Sequence, residues 1–145
     1  MQPIRVKFLK PSAKLPTYGS PEAAGADLYA CLDEDMHIAA GESAFIPTGL
    51  AMEIPKGYAG LIYARSGLAC KKGLAPANKV GVIDSDYRGE FIVVLHNHGN
   101  DVRVISNGER IAQLVITPII TPGFAEVADL TVTQRSTGGF GSTGK

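Results

Sequence analysis

The chain has 145 residues, with 14 basic against 14 acidic side chains, 17 glycines, 9 prolines and two cysteines. A chain of this length folds as one domain with its own core, and zero net charge excludes a global field that would attract nucleic acid or an anionic membrane, so any anion site has to be local. Cys31 and Cys70 form no CxxC pair, which argues against a disulfide framework or a zinc site and suits reduced thiols in a cytoplasmic protein. The N-terminus has no apolar signal core, and no apolar run approaches the ~20 residues of a membrane span.

Short Val/Ile/Leu-rich runs separated by Gly and Pro predict an all-β domain, a sandwich or barrel. Ile4, Val6 and Phe8 alternate with polar neighbours in a half-buried first strand that ends at Lys10-Pro11. A polar loop from Ser12 to Glu22 follows. The run AAGADLYA, Ala23–Ala30, is too short and Gly-broken for a helix and places a carboxylate, Asp27, between small residues. Strands are expected at Ser43–Pro47, Leu50–Ile54 and Tyr58–Ala64, cut by Thr48-Gly49 and Pro55-Lys56-Gly57.

The stretch ARSGLACKKG, Ala64–Gly73, predicts the one helix of the chain: Ser66 caps it, Leu68 and Ala69 face inward, Lys71 and Lys72 suit its negative end and Gly73 closes it. Arg65 and Ser66 at its entry favour an anion, against the plainer reading of a capped turn with a surface Arg. GVIDSDYRGE, Gly81–Glu90, then packs two aspartates, a tyrosine and an arginine between glycines. It reads as a hairpin anchored by Val82 and Ile83, with Asp84 just past the apolar run; an ordinary polar turn is the alternative.

Phe91–Leu95 is continuously apolar, so both its faces are expected to be covered. His96 and His98 share a strand face, but with no third ligand nearby a structural role is favoured over a metal. An Asn107-Gly108 turn leads into Arg110–Ile116, where Gln113 needs hydrogen-bond partners if buried. Pro118 to Asp129 is an extended arm too apolar for solvent alone. The tail RSTGGFGSTGK, Arg135–Lys145, cannot stay ordered by itself, yet it combines backbone amides, an Arg and an aromatic ring, as a lid ordering on a nucleotide would. Residues 1–134 are thus read as one β domain and 135–145 as a Gly-rich lid. From these residues alone the function reads as Mg²⁺-dependent chemistry on a phosphorylated nucleotide.

Taken in order, AGADLYA, ARSGLA, GVIDSDYRGE, NGERIAQLV and RSTGGFGSTG resemble the five motifs of the trimeric dUTPase family, with Ala64 standing where many members have proline. The resemblance implies a jelly-roll-like subunit, a homotrimer with active sites shared between subunits, dUTP as substrate and Mg²⁺ as cofactor, with no nucleic-acid or membrane partner. It assigns Asp84 to the attacking water. Asn78 and the Gly81, Val82 and Ile83 backbone go to uracil, and Tyr87 to the deoxyribose. Arg65, Ser66, Gly67 and Gln113 go to the phosphates, and Asp27 to waters of the magnesium. Arg135, Gly139, Gly141, Ser142 and Thr143 would close over the triphosphate, with Phe140 stacked on the base. The rivals are a dCTP deaminase-type relative, disfavoured because Asp84, Ser85 and Asp86 stand where that chemistry needs a glutamate, and a non-catalytic nucleotide-sensing trimer.

Overall fold

The computed structural model describes residues 3–139. Twelve strands and one helix are present among them: β1 (Arg5–Phe8), β2 (Thr17–Tyr18), β3 (Ala26–Tyr29), β4 (Met36–Ile38), β5 (Ser43–Pro47), β6 (Leu50–Glu53), β7 (Tyr58–Tyr63), α1 (Ser66–Lys72), β8 (Leu74–Pro76), β9 (Gly81–Ile83), β10 (Ile92–Asn97), β11 (Arg103–Ile105) and β12 (Arg110–Pro118). All pairings are antiparallel. A five-stranded sheet runs β2-β3-β12-β7-β9, a three-stranded sheet runs β5-β10-β8, and two ribbons join β1 to β6 and β4 to β11. This is the expected jelly-roll-like β architecture.

The core forms where the inward faces of these sheets meet. Leu28, Ile46, Leu50, Leu74, Phe91, Leu95, Ile105 and Ile111 are all buried. Asn97 is the buried amide, and it is fully used: Nδ2 donates to the carbonyls of Ile38 (2.9 Å) and Asp101 (2.8 Å), and Oδ1 accepts from the Gly99 amide (2.9 Å). Satisfying both ends removes the penalty of burying it.

Three expectations need correction. Gly81–Glu90 is not the predicted hairpin: β9 pairs with β7 and β10 pairs with β5 and β8, so the loop between β9 and β10 carries the chain from one sheet to another. Val82 does not anchor it; that side chain is 63% exposed, and the inward positions are Gly81 and the half-buried Ile83. Phe91–Leu95 is also not covered on both faces within one chain, because β10 alternates, burying Val93, Leu95 and Asn97 while Ile92 lies outward. The short strands β2, β4 and β8 offer only two or three residues each, too few for a readable period. The arm after β12 is extended and makes no ladder among the described residues; Ile120 and Phe124 on it are 91% and 100% exposed.

The turn between β5 and β6 organises the region next to that loop. Thr48 Oγ1 donates to the Phe91 carbonyl (2.6 Å), the Phe91 amide donates to the Leu50 carbonyl (2.8 Å), and the Gly49 amide donates to Glu90 Oε1 (2.7 Å). Gly49 has φ +70°, and a Cβ there would lie 2.8 Å from both Ala13 Cβ and Cys31 Sγ. We predict that Gly49→Ala destabilises the protein by about 2–4 kcal/mol, since strained backbone and overpacking add. Urea unfolding at fixed protein concentration measures it, and an unchanged midpoint would contradict the packing described.

Candidate active site

Two cavities gather most of the predicted site residues. The first, of about 220 Å³, is lined by Asn78, Gly81, Val82, Ile83, Asp84 and Tyr87, together with Ile62, Glu90, Phe91 and Ile92. Its wall before β9 is a tight turn. Lys79 has φ +65°, the Val80 amide donates to the Asn78 carbonyl (2.7 Å) and the Lys79 amide to that of Pro76 (3.0 Å). The positive φ of a non-glycine residue is a strained conformation that persists only where its surroundings enforce it. It brings Asn78 over Gly81, where a Cβ would lie 3.2 Å from Asn78 Nδ2 and 3.3 Å from Ile62 Cβ. Backbone and amide therefore meet at close range, as a slot for a planar polar ligand requires.

On the other wall the Tyr87 amide donates to the Asp84 carbonyl (3.2 Å), closing a turn that starts at the exposed Asp84 and ends at Tyr87. The Tyr87 hydroxyl donates to the Glu90 carbonyl (3.0 Å), and its ring stands 6.2 Å from that of Phe91. Gly89 lies against the hydroxyl end of the ring, with no room for a Cβ. The aromatic face is thus held upright at the cavity edge.

The second cavity, of about 280 Å³, is lined by Asp27, Arg65, Ser66, Gly67 and Gln113 together with Gly19, Ala23, Gly25 and Arg110. Asp27 Oδ1 accepts from Arg65 Nε (2.8 Å) and Oδ2 from Arg110 Nη1 (3.2 Å), with the carboxylate 15% exposed. One partly buried anion therefore holds two guanidiniums side by side, Arg65 Nη1 also donates to the Arg110 carbonyl (3.4 Å), and the N–H groups outside these bonds suit a second, larger anion. Gln113 Nε2 donates to the Ala64 carbonyl (2.8 Å), tying β12 to the strand-to-helix turn. The expected Ser66 cap is not there: Arg65 is the N-cap residue (φ −87°, ψ 129°), its carbonyl accepts from the Ala69 amide, and no side chain caps the end. The chain enters extended from β7, so the cap position falls one residue earlier and Ser66 Oγ is left to the cavity. Gly73 (φ +69°) ends the helix as expected.

No residue is common to the two cavities. Arg135 lines neither; its Nε donates to the Gly138 carbonyl (2.9 Å), and Gly139 is likewise apart. Phe140, Gly141, Ser142 and Thr143 lie outside the described residues. Among the described residues no group of three His, Cys, Asp or Glu is placed to hold a metal. His96 and His98 pack edge to face, 4.4 Å apart, with His96 Nδ1 bonded to Ser43 Oγ (2.9 Å). Desolvation, then the neighbouring charges of His96 and Lys79, lower the proton affinity of His98. Arg110 was missed for a physical reason. Strand alternation puts residues 110 and 113 on opposite faces, but a bulge between Arg110 and Ala112 shifts the register, buries both Ile111 and Ala112, and returns Arg110 to the side of Gln113.

With this geometry in view, comparison with known proteins is direct. A family model described as dUTPase matches residues 11–144. The chain belongs to the dUTPase family. The deoxyuridine 5'-triphosphate nucleotidohydrolase of Syntrophotalea carbinolica is 48% identical over 141 residues, covering 97% of this chain and 96% of that one. That of Desulfitobacterium hafniense strain DCB-2 is 49% identical, covering 99% of each. Among solved structures, a dUTPase mutant of Staphylococcus bacteriophage 80alpha with dUpNHpp superposes at a TM-score of 0.91 with 31% identity, covering all of both chains. The dUTPase of phage phi11 of S. aureus does so at 0.81 with 27% identity, covering 89% and 98%.

In this dUTPase the second cavity depends on Gly25, where a Cβ would lie 2.7 Å from Gln113 Oε1 and 3.1 Å from Gln113 Cβ. Gly25→Ala is expected to push Gln113 off Ala64 and cost about 1–3 kcal/mol. Amide exchange in the 64–67 turn should speed up, and unchanged protection there would show that Gln113 does not hold it.

Proposed function

We propose that the protein hydrolyses dUTP to dUMP and pyrophosphate by attack of water on the α-phosphate, as a homotrimer whose active sites are shared between subunits. The observation that carries the reading is the convergence of Asn78, Gly81, Asp84 and Tyr87 on one small cavity in a chain of the dUTPase family. Asn78 and the β9 backbone read the uracil edge, and the narrow slot leaves no room for a 5-methyl group. Tyr87, upright against Gly89, takes the deoxyribose and excludes a 2′-hydroxyl. Asp84, exposed at the cavity edge, orients the water and accepts its proton.

The triphosphate falls to Arg65, Ser66, Gly67 and Gln113, joined by Arg110, whose guanidinium the same carboxylate holds. Because the two cavities of one chain share no residue, assembly would bring the base side of one copy to the phosphate side of another. Together with the exposed apolar arm after β12, this favours an assembly over an independent monomer, and the family resemblance makes that assembly a trimer. Arg135, Gly139 and the segment through Thr143 would close over the phosphates, with Phe140 on the base.

The residues present fit a Mg²⁺ ion held mainly by the substrate. Both Asp27 oxygens already accept from arginines, which leaves lone pairs for water but no open carboxylate for direct ligation. When bound, the ion would neutralise charge on the triphosphate. Reduced thiols and the absence, among the described residues, of any helix long and apolar enough to cross a membrane suit the cytoplasm.

Incubation of purified protein with dUTP and Mg²⁺ should release pyrophosphate, and its absence would overturn the reading. Asp84→Asn should keep dUTP binding and lose about 10²–10⁴-fold in kcat, the scale of a general base. Near wild-type turnover would remove Asp84 from this role. Tyr87→Ala should raise activity on UTP relative to dUTP while leaving rejection of dTTP and dCTP nearly unchanged; a base-selectivity loss of equal size would place Tyr87 on the wrong part of the substrate.

A further inference from the structure

We infer that Arg88 is a positioning residue for the reaction, acting as an internal brace of the loop that carries Asp84 and Tyr87. Between β9 and β10 this loop has no ladder pairing, and one backbone bond, Tyr87 N–H to the Asp84 carbonyl at 3.2 Å, closes its turn. Arg88 supplies what the ladder does not. Its Nη1 donates to the Ser85 carbonyl (2.8 Å) and to the Tyr87 carbonyl (2.9 Å), spanning the turn from outside. Fixing the peptide planes after Ser85 and Tyr87 fixes the backbone torsions on either side of Asp86 and the direction in which the Tyr87 ring leaves the chain.

The guanidinium is itself aimed. Its Nε faces Glu53 Oε1 on β6 at 3.7 Å, and the other Glu53 oxygen pairs with Arg5 on β1. These ion pairs are exposed, with the Arg88 side chain 55% accessible, so they add little stability; they set direction. The two bonds to carbonyls are charge-assisted and hold a segment that otherwise has one backbone bond of its own. A guanidinium committed to carbonyls also has less to offer a phosphate, so its contribution is to geometry.

This rests on the reading that Tyr87 meets the sugar, and the experiment separates the two. In the full chain, kcat/KM for dUTP and UTP is measured for Arg88→Ala, Arg88→Lys and Tyr87→Ala, with amide exchange at Tyr87 in the ligand-free protein. Arg88→Ala should lower the dUTP-to-UTP preference about tenfold, the scale of a small misplacement of a contact group. Its melting midpoint should stay within about 2 °C, as loss of exposed contacts allows. The Tyr87 amide should exchange roughly tenfold faster, about one net hydrogen bond. Arg88→Lys, whose ammonium donates to the same carbonyls, should recover most of both effects. A phosphate contact would lower both substrates equally, so an unchanged preference in Arg88→Ala, where Tyr87→Ala does change it, overturns the brace. If Tyr87→Ala leaves the preference unchanged, the sugar reading fails and exchange decides Arg88: a Tyr87 amide as protected in Arg88→Ala as in wild type overturns it.

Discussion

The docking of Glu90 and Phe91 onto the Thr48-Gly49 turn is the constraint on which the site depends. At this point the chain leaves the five-stranded sheet and joins the three-stranded one, and four polar groups have to be satisfied at the edge of a core. The Thr48 hydroxyl, the Gly49 amide, the Glu90 carboxylate and the Phe91 amide each find a partner there. Phe91 is fully buried beside them. A loop fixed at that end by burial and at its other end by β9 pairing has only its middle left to adjust. Asp84, Tyr87 and Arg88 all occupy that middle.

The second cavity solves a different problem, holding two cations side by side, as the proposed phosphate site needs. Two arginines placed side by side repel, and each would swing into solvent if left alone. Asp27 holds both, at 2.8 and 3.2 Å, from a position only 15% exposed. Partial burial makes the Arg65 pairing stronger than a surface ion pair, because water screens it less, whereas Arg110, 53% exposed, is held more weakly. The rotamer entropy of the arginines is thereby spent in folding and not in binding, which is the physical content of preorganisation. Gln113 extends the arrangement by bonding to Ala64, one residue before Arg65.

Most of the fold was legible because its signals are local. β5 was expected at the residues it occupies, β6 and β7 to within one residue, and Gly73 closes the helix as its conformation demands. What was not legible depends on pairing across the chain. Nothing within Gly81–Glu90 says that β9 will pair with β7 and leave β10 to another sheet, so glycines at both ends looked like a hairpin. Arg110 was hidden by a bulge that only its pairing with β3 reveals. Asp84 and Tyr87 stand out within Gly81–Glu90 itself and Asn78 comes from the family resemblance; their convergence on one cavity is a property of the turn at Lys79 and the anchor at Glu90, which no spacing encodes.

The arm beyond β12 leaves apolar surface that its own chain does not cover. Ile120, Phe124, Leu130 and Val132 are 86% to 100% exposed on a segment with little bonding to its own subunit. Burying such a side chain contributes about 1.5–3 kcal/mol, whereas ordering each backbone residue costs about 1–2 kcal/mol. Four apolar groups over more than a dozen residues therefore fall short of the ordering cost, and the arm gains order only where its backbone groups also find partners. The outward face of β10 adds to the unburied surface, with Ile92 and, paired with Val94 on the neighbouring β5, the 68% exposed Phe45. Ile92 also lines the first cavity. A copy seated on that face would cover apolar surface and stand beside the cavity in the same step, which in the proposed trimer would couple assembly to completion of the site.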